Sequence, residues 1–381
     1  MTLVDRPDVV IIGCGMQGAT MALAAARSGL KPLVVERDRI ASGATGSSYG
    51  FIHGGLRYLQ TMDLRRWRRS RRAQAWFLKS YADLVRPLPC IMPLYRRRIR
   101  SPMAFRLAVA TESLLSGAAG YVHQLSGAEL LSSGDVPAGY PIPRHDLVGA
   151  ALWHDLVVPD MKALLLAILS DAGVTGSALI EQAEARDVIV ANNRVHGVRI
   201  LRADRPPEEI ATSQVIDCTG SWPSPWPRDQ RPASTATLAF NLLLDAQFPP
   251  EAALAVSEVP GRGRSYFLRP CEGGTLAGTF YRAAPGARHP EVEPGDIAAF
   301  RSALERALPG SGLASAPVRR VMAGLLPDRD GTGRTLSAKD FVSTSGPAGF
   351  CRILGTKLTT APLLSFETAA KLWPERANGI A

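Results

Sequence analysis

Residues 8–36 constrain this chain more than any other stretch. A short run rich in β-branched residues leads into Gly13-Cys14-Gly15-Met16-Gln17-Gly18, and an alanine-rich segment follows as far as Gly29. A second apolar run, residues 31–36, ends on Glu36. The spacing predicts strand, helix and strand within about 30 residues, the length a parallel crossover needs. Each glycine has a task in such a unit: Gly13 for the tight turn, Gly15 for close approach of a pyrophosphate, Gly18 for packing the helix on the strand. The helix N-terminus then offers N–H groups and a positive dipole end to a diphosphate. Glu36 is placed to accept from ribose hydroxyls, and its carboxylate disfavours a 2′-phosphate. The bland alternative is a plain α/β turn, which leaves the glycine spacing and Glu36 without a task.

That unit alone does not separate NAD from FAD. The next segment does. Residues 42–50, Ser-Gly-Ala-Thr-Gly-Ser-Ser-Tyr-Gly, form a small-residue loop, followed by His53-Gly54-Gly55-Leu56-Arg57-Tyr58. A loop this rich in Gly, Ser and Thr can wrap a flat ligand and donate backbone hydrogen bonds. A nicotinamide enzyme has no use for it there. A flavoprotein does, because FAD extends past its pyrophosphate to the ring, so FAD is the expected cofactor.

The rest of the chain supplies the body. With 381 residues, 46% hydrophobic, it suits one large α/β protein or two intertwined domains able to bury a big cofactor. Helices are expected over residues 64–85 (ended by Pro87 and Pro89), 157–172, 293–308 and 360–373. Strands are expected over 187–191, 195–201, 214–217, 238–244 and 264–279, with turns at Asn192-Asn193 and Pro206-Pro207. No uninterrupted apolar run of about 18 residues predicts a membrane span, and the polar start does not read as a secretory signal. Five scattered cysteines without C-x-x-C spacing argue against a disulfide framework or a metal site. They favour a reducing compartment, so the expected location is cytoplasmic.

The net charge of +10 is concentrated. Arg65, Arg66, Arg68, Arg69, Arg71 and Arg72 crowd one expected helix, with Trp67, Trp76 and Phe77 interleaved, and Arg96, Arg97, Arg98, Arg100 and Arg106 follow. A solvated face is one reading. Peripheral contact with the anionic inner face of a membrane, or with an acidic partner, is the sharper one. No reader motif accompanies the charge, so nucleic acid is not an expected partner.

Taken together these segments resemble the D-amino-acid oxidase-like superfamily and, within it, FAD-dependent glycerol-3-phosphate dehydrogenases, through Ile-His-Gly-Gly-Leu-Arg-Tyr-Leu at 52–59. Residues 215–222, Val-Ile-Asp-Cys-Thr-Gly-Ser-Trp, resemble a family segment beside the cofactor. Residues 354–360, Leu-Gly-Thr-Lys-Leu-Thr-Thr, resemble another near the flavin. The resemblance implies an α/β fold with an α+β substrate part: a Rossmann-like FAD-binding domain with an interleaved antiparallel-sheet substrate domain. The FAD-binding segments would be about 8–85, 150–235 and 325–381, and the substrate segments about 86–149 and 236–324. Gly13, Gly15, Gly18, Glu36 and Arg37 would hold the ADP half, and Thr45, Gly46, Ser47 and Ser48 the diphosphate and ribityl region. His53, Gly54, Gly55, Thr219, Gly220 and Trp222 would pass the cofactor. Gly355, Thr356, Lys357, Leu358 and Thr359 would serve the pyrimidine edge of the flavin, where N–H groups and a lysine stabilise the anionic reduced ring.

On the substrate side the resemblance implies Arg57, Tyr58 and Lys357, against readings as a salt-bridge partner, a core aromatic and a surface lysine. His53 has three readings: proton transfer, covalent attachment to the flavin, or a hydrogen-bonded structural histidine. The departures loosen the substrate. Leu326 stands where the family has an arginine that binds the substrate anion, and Gly50 where it has a lysine. Tyr281 stands where it has an aspartate. Lys339 and Arg269 are the expected outer anion contacts, Arg269 because it interrupts an apolar strand. The chain ends soon after the Lys357 segment, so the family's C-terminal helical domain is expected to be absent. The expected reaction is oxidation of a small CH–OH or CH–NH substrate by hydride transfer to flavin N5, with quinone or oxygen as electron acceptor. The rival readings are an amino-acid or 2-hydroxy-acid oxidase of the same superfamily, and a flavin-binding docking subunit.

Overall fold

The computed structural model describes residues 6–59, 62–96, 128–222, 236–247, 252–259, 262–285, 287, 289–328 and 339–379. β1 (Val9–Ile12) is buried at every position, as a parallel strand with covered faces must be. It lies between β2 (Pro32–Val35) and β11 (Val215–Asp217), parallel to both. The sheet continues outward to β7 (Leu179–Ile180) on one side. On the other it runs through β18 (Phe350–Leu354) to β17 (Phe341–Ser343), the last pair being antiparallel. The crossover helix α1 (Met16–Arg27) owes its close seat to small residues, since Ala19, Ala22, Ala24 and Ala25 are fully buried. Its chain leaves through Gly29 at φ +72°, the left-handed conformation that favours glycine after a helix.

A second, larger sheet carries β3 (Phe51–Ile52), β4 (Arg86–Tyr95), β5 (Glu129–Ser132), β6 (Leu147–Val157), β12 (Ala236–Leu244), β13 (Ala253–Val259), β14 (Arg262–Cys271), β15 (Gly274–Ala283) and β16 (Val318–Pro327). The helix α5 (Pro294–Ala307) packs Phe300 and Leu304 on one face, against Phe240, Tyr266 and Leu268. The opposite face carries Phe51, Cys90, Met92, Trp153 and Phe267. The two sheets meet at the small-residue loop. A Cβ on Gly324 of β16 would lie 2.7 Å from Ala44 Cα, and Asn241 Nδ2 donates to the Ser47 carbonyl at 2.9 Å. Only small residues permit that approach. The expected α/β class is the one observed; the second sheet, expected to be antiparallel, is antiparallel except for the parallel pair of β4 and β13.

Local expectations fail at prolines and turns. The helix expected to 85 is α3 (Leu64–Ser80), and Pro87 and Pro89 lie inside β4. They fall where β4 pairs with β6 but not yet with β13, so no ladder bond is lost. The helix expected from 157 is α4 (Met161–Asp171), capped by Asp160, whose side chain accepts from Ala163 N at 3.0 Å. Val157 ends β6 instead. Asn192 and Asn193 both take positive φ and turn β8 (Glu184–Ala191) into β9 (Arg194–Arg202), as expected. Pro206-Pro207 does not turn the chain; both residues sit at an irregularity in the strand β10 (Arg205–Ala211). The single strand expected over 264–279 is a hairpin of β14 and β15, turning at Glu272-Gly273, with Gly273 at φ +84°.

Candidate active site

The glycine sequence stands at the C-terminal end of β1, where open α/β sheets bind ligands. Gly13 takes φ +91°. A Cβ on Gly18 would lie 1.9 Å from the Gly13 carbonyl oxygen, so helix and turn touch through backbone alone. Glu36 Oε2 accepts from Cys14 N at 2.7 Å and Oε1 from Asp38 N at 3.0 Å, which fixes the carboxylate at the loop. Thr45 Oγ1 accepts from Met16 N at 3.1 Å, holding the small-residue loop against the start of α1. Burial, with Glu36 nearby, pushes the Cys14 thiol well above its ordinary value, and burial does the same for Cys218. Both thiols are neutral linings.

These groups open onto one long cleft. Its walls include Gly13, Gly15, Glu36, Arg37, Thr45, Ser48, Thr219, Gly220, Trp222, Gly355, Thr356, Lys357 and Leu358. It encloses about 1570 Å³ of non-atom space, its open mouth included. Arg37 stacks on Trp222 at 4.2 Å to the ring centroid and pairs with Asp38. Gly220 takes φ +71° with open space on its Cβ side. On this wall Gln17 Oε1 and Ser221 Oγ are buried without hydrogen-bond partners among the described residues. Glycines that bring backbone to the space, a fixed carboxylate for ribose hydroxyls and orphaned polar atoms on the wall all fit a dinucleotide cofactor such as FAD. Leu326 also lines the cleft, so the position that would hold an arginine presents an aliphatic side chain.

The remaining residues expected to bind cofactor lie off the cleft wall. Gly46 packs against the Ala41 carbonyl and Ser47 serves through its own carbonyl, so both shape the loop. Gly54 N donates to Asp155 Oδ1 at 2.7 Å, and Gly55, at φ +86°, packs against Ser70. Thr359 Oγ1 accepts from His53 N at 3.0 Å, tying the Lys357 turn to the His53 strand end.

A second group gathers at that strand end. His53 Nδ1 lies 3.0 Å from Asp155 Oδ2, with half of the His53 side chain exposed and Asp155 buried. Asp155 also accepts from Trp153 Nε1 at 3.2 Å. Burial works to raise the Asp155 carboxyl, but the His53, Gly54 and Trp153 donors outweigh it and hold the group below its ordinary value. An ionised Asp155 can only accept, so the proton shared with His53 sits on Nδ1, which leaves Nε2 as the ring nitrogen turned away from the pair. Phe51 and Phe267 flank the imidazole at ring-centroid distances of 5.5 and 6.2 Å. Lys357 Nζ donates to Tyr58 OH at 2.7 Å and lies 5.0 Å from that ring. Thr356 N and Oγ1 both donate to Asp340 Oδ1 at 3.0 Å, which clamps the turn.

Some expected substrate contacts stand apart. Lys339 is exposed beside Asp340. Tyr281 is half-buried, its ring 3.8 Å beneath the Arg264 guanidinium. Arg57 falls in the short helix α2 (Leu56–Leu59), and its side chain lies outside the described residues, as do Arg97, Arg98, Arg100 and Arg106. On α3, Arg65, Arg66, Arg68 and Arg72 are exposed, while Arg69 reaches Glu367 at 2.8 Å and Asp340 at 3.8 Å. Sequence reasoning passed over Asp155, although a lone acid in the apolar run 147–158 is a signal. It also passed over Asp217, which accepts from Thr219 N and Oγ1 and pairs with buried Arg352 at 3.4 Å, setting the turn at Gly220.

The profile of the DAO family, FAD dependent oxidoreductase, matches residues 8–369. An alpha-glycerophosphate oxidase of Streptococcus pyogenes is 26% identical over 348 residues, 88% of this chain and 55% of that protein. The crystal structure of a glycerol-3-phosphate dehydrogenase from Bacillus halodurans, complexed with FAD, superposes with TM-score 0.70 at 20% identity, over 98% of this chain and 65% of that one. Glycine oxidase from Geobacillus kaustophilus gives TM-score 0.68 at 16% identity, over 97% and 95%. The chain spans about half the length of the curated relatives it matches. It belongs to the family of FAD-dependent oxidoreductases, whose cofactor is FAD.

Proposed function

We propose that this FAD-dependent oxidoreductase oxidises a small substrate at a carbon bearing a hydroxyl or amino group, in the manner of glycerol-3-phosphate dehydrogenases. The observation that carries the reading is the His53–Asp155 pair beside the Lys357 turn. FAD, when bound, supplies a two-electron acceptor. His53 takes the substrate's O–H or N–H proton at Nε2, and Asp155 stabilises the imidazolium that forms. Lys357, steadied by Tyr58, orients the substrate oxygen or nitrogen. With Nδ1 held by Asp155, the half-exposed ring acts through Nε2 as a base, so non-covalent FAD is the better fit.

The experiment is anaerobic bleaching of the flavin in purified protein, with glycerol 3-phosphate, 2-hydroxy acids and amino acids as the panel. Bleaching by at least one hydroxy or amino compound supports the reading. Protein that binds no FAD, or flavin that none of them reduces, overturns it.

A second reading, an amino-acid or 2-hydroxy-acid oxidase, draws on Leu326, since the wall there offers no cation to a phosphate. Substrate-dependent peroxide release would favour it, whereas quinone reduction without peroxide would favour a dehydrogenase. The exposed Arg65, Arg66, Arg68 and Arg72 further suggest peripheral contact with an anionic membrane face. Among the described residues no helix is long and apolar enough to cross a membrane. Salt-sensitive binding to phosphatidylserine vesicles, absent for neutral vesicles, is the expected result.

A further inference from the structure

Arg269 is a half-buried cation that the fold leaves under-satisfied. Among the described residues its buried Nε has no hydrogen-bond partner, and its Nη1 reaches only the neighbouring Pro270 carbonyl, at a long 3.4 Å. No carboxylate pairs with it among the described residues. Other arginines on or beside the larger sheet have a short polar contact: Arg282 meets Asp296 at 2.6 Å and Arg319 meets Asp245 at 2.7 Å, while Arg264 and Arg301, which meet no carboxylate among the described residues, donate to the Tyr281 and Ala316 carbonyls at 2.8 and 2.7 Å. A guanidinium withdrawn from water without an anion is costly, and a carboxylate matches its planar fork with two parallel hydrogen bonds.

Its position says what such an anion would belong to. Arg269 follows Phe267 by two residues on β14, so both side chains lie on the same face. Phe267 packs on Phe51 at 5.3 Å and on His53 at 6.2 Å. The guanidinium itself stands 5.4 Å from the Tyr49 ring, whose hydroxyl donates to the Leu276 carbonyl opposite Arg269 in the ladder. Tyr49 and Phe51 stack edge to face at 4.7 Å. The aromatic wall therefore runs from His53 to Arg269. The turn that carries Lys357 is tied to the same strand end, where His53 N donates to Thr359 Oγ1.

We propose that Arg269 is the specificity-determining residue of this site and binds the carboxylate of the substrate, which makes the substrate class the 2-hydroxy or 2-amino monocarboxylates. The inference rests on the oxidoreductase reading above. One guanidinium balances a single negative charge, and with Lys357 engaged by Tyr58 and by the reacting oxygen or nitrogen, a phosphate dianion would keep an uncompensated charge against the aromatic wall. The aliphatic Leu326 supplies no second cation from the cleft.

The test uses the FAD-loaded protein and reads the visible spectrum of its flavin during titration with acetate and, separately, inorganic phosphate. Wild type is expected to bind acetate more tightly than phosphate. Arg269→Met is expected to weaken acetate by about 10- to 100-fold while keeping its flavin absorbance, the loss typical of a charge-assisted pair. Arg269→Lys, which keeps the charge and loses the fork, should fall between and serves if the methionine variant fails to fold. Acetate affinity unchanged in Arg269→Met, or in Arg269→Lys where that variant serves, overturns the proposal, and so does phosphate binding more tightly than acetate in wild type. Either result leaves the oxidoreductase reading standing, because that reading fails only on flavin binding and flavin reduction.

Discussion

The two ends of the site are built by different rules. The nucleotide end is made of backbone: Gly13, Gly15, Gly18 and the start of α1 sit within a few residues of one another, and Glu36 bonds back to the same loop. The far end, where the substrate is proposed to bind, is made of side chains brought from distant parts of the chain: His53, Tyr58, Asp155, Phe267, Arg269 and Lys357. A backbone site tolerates almost no added atom, whereas a side-chain site tolerates substitution and changes its chemistry. That difference separates a cofactor shared by a family from a substrate that varies within it.

The largest effect is expected from Gly18→Val at the nucleotide end. The new Cβ would meet the Gly13 carbonyl at 1.9 Å, and backbone on both sides has nowhere to go. The expected outcome is colourless protein that does not regain flavin absorbance on reconstitution with FAD. A yellow, active variant would show that the nucleotide end is not the tight backbone cradle described above.

Asp155→Asn strikes the other end and should leave the colour. The asparagine cannot stabilise an imidazolium, so flavin reduction by a competent substrate should slow by about 100-fold or more. FAD content should be unchanged, and the pH profile of reduction should lose the limb set by the His53–Asp155 pair. The sign of the stability effect also follows. Asp155 is depressed below its unfolded value, so its contribution to stability is present above the ordinary carboxylate range and is lost as pH falls through the depressed value. The asparagine variant should show a shallower loss of stability in acid, measured by urea midpoints down the pH scale.

This contrast also explains what the chain disclosed before its structure was known. The nucleotide end was legible because its glycines, strand and carboxylate lie within 29 consecutive residues, at spacings that geometry dictates. His53, Tyr58 and Lys357 were legible only through resemblance, since nothing local says that residue 357 meets residue 58. Asp155 went unread because its meaning comes from a partner 102 positions away. The prolines misled for a related reason. Pro87 and Pro89 read as the end of a helix, yet a strand accepts them wherever one of its edges is unpaired, and only the sheet decides which edge that is.

Tyr58→Phe is a gentler probe of the side-chain end. It removes the hydroxyl that accepts from Lys357 Nζ but keeps the ring that the ammonium faces at 5.0 Å. Truncating one neutral partner of a charged hydrogen bond costs about 1.5–3 kcal/mol at most, and less where water can replace it. The expected effect is about a tenfold fall in the rate of flavin reduction, with substrate affinity nearly unchanged. An equal fall in Lys357→Met and no further fall in the double variant would mark the two residues as one unit.

The smallest effect is expected from a glycine that looks, in sequence, as important as Gly18. Gly220 lines the cleft at φ +71°, yet nothing lies within 4 Å of where its Cβ would be. Gly220→Ala therefore meets only the left-handed backbone penalty, about 1–2 kcal/mol. Asp217 still holds the turn through Thr219 N and Oγ1, so the loop keeps its shape. The variant should stay yellow, with a modestly lowered urea midpoint and flavin reduction close to wild type. If Gly220→Ala instead loses FAD as Gly18→Val does, the open side of Gly220 is ground that the cofactor occupies. The backbone-built region would then extend from the nucleotide loop to the turn after β11, and the boundary between the two ends would lie closer to Lys357.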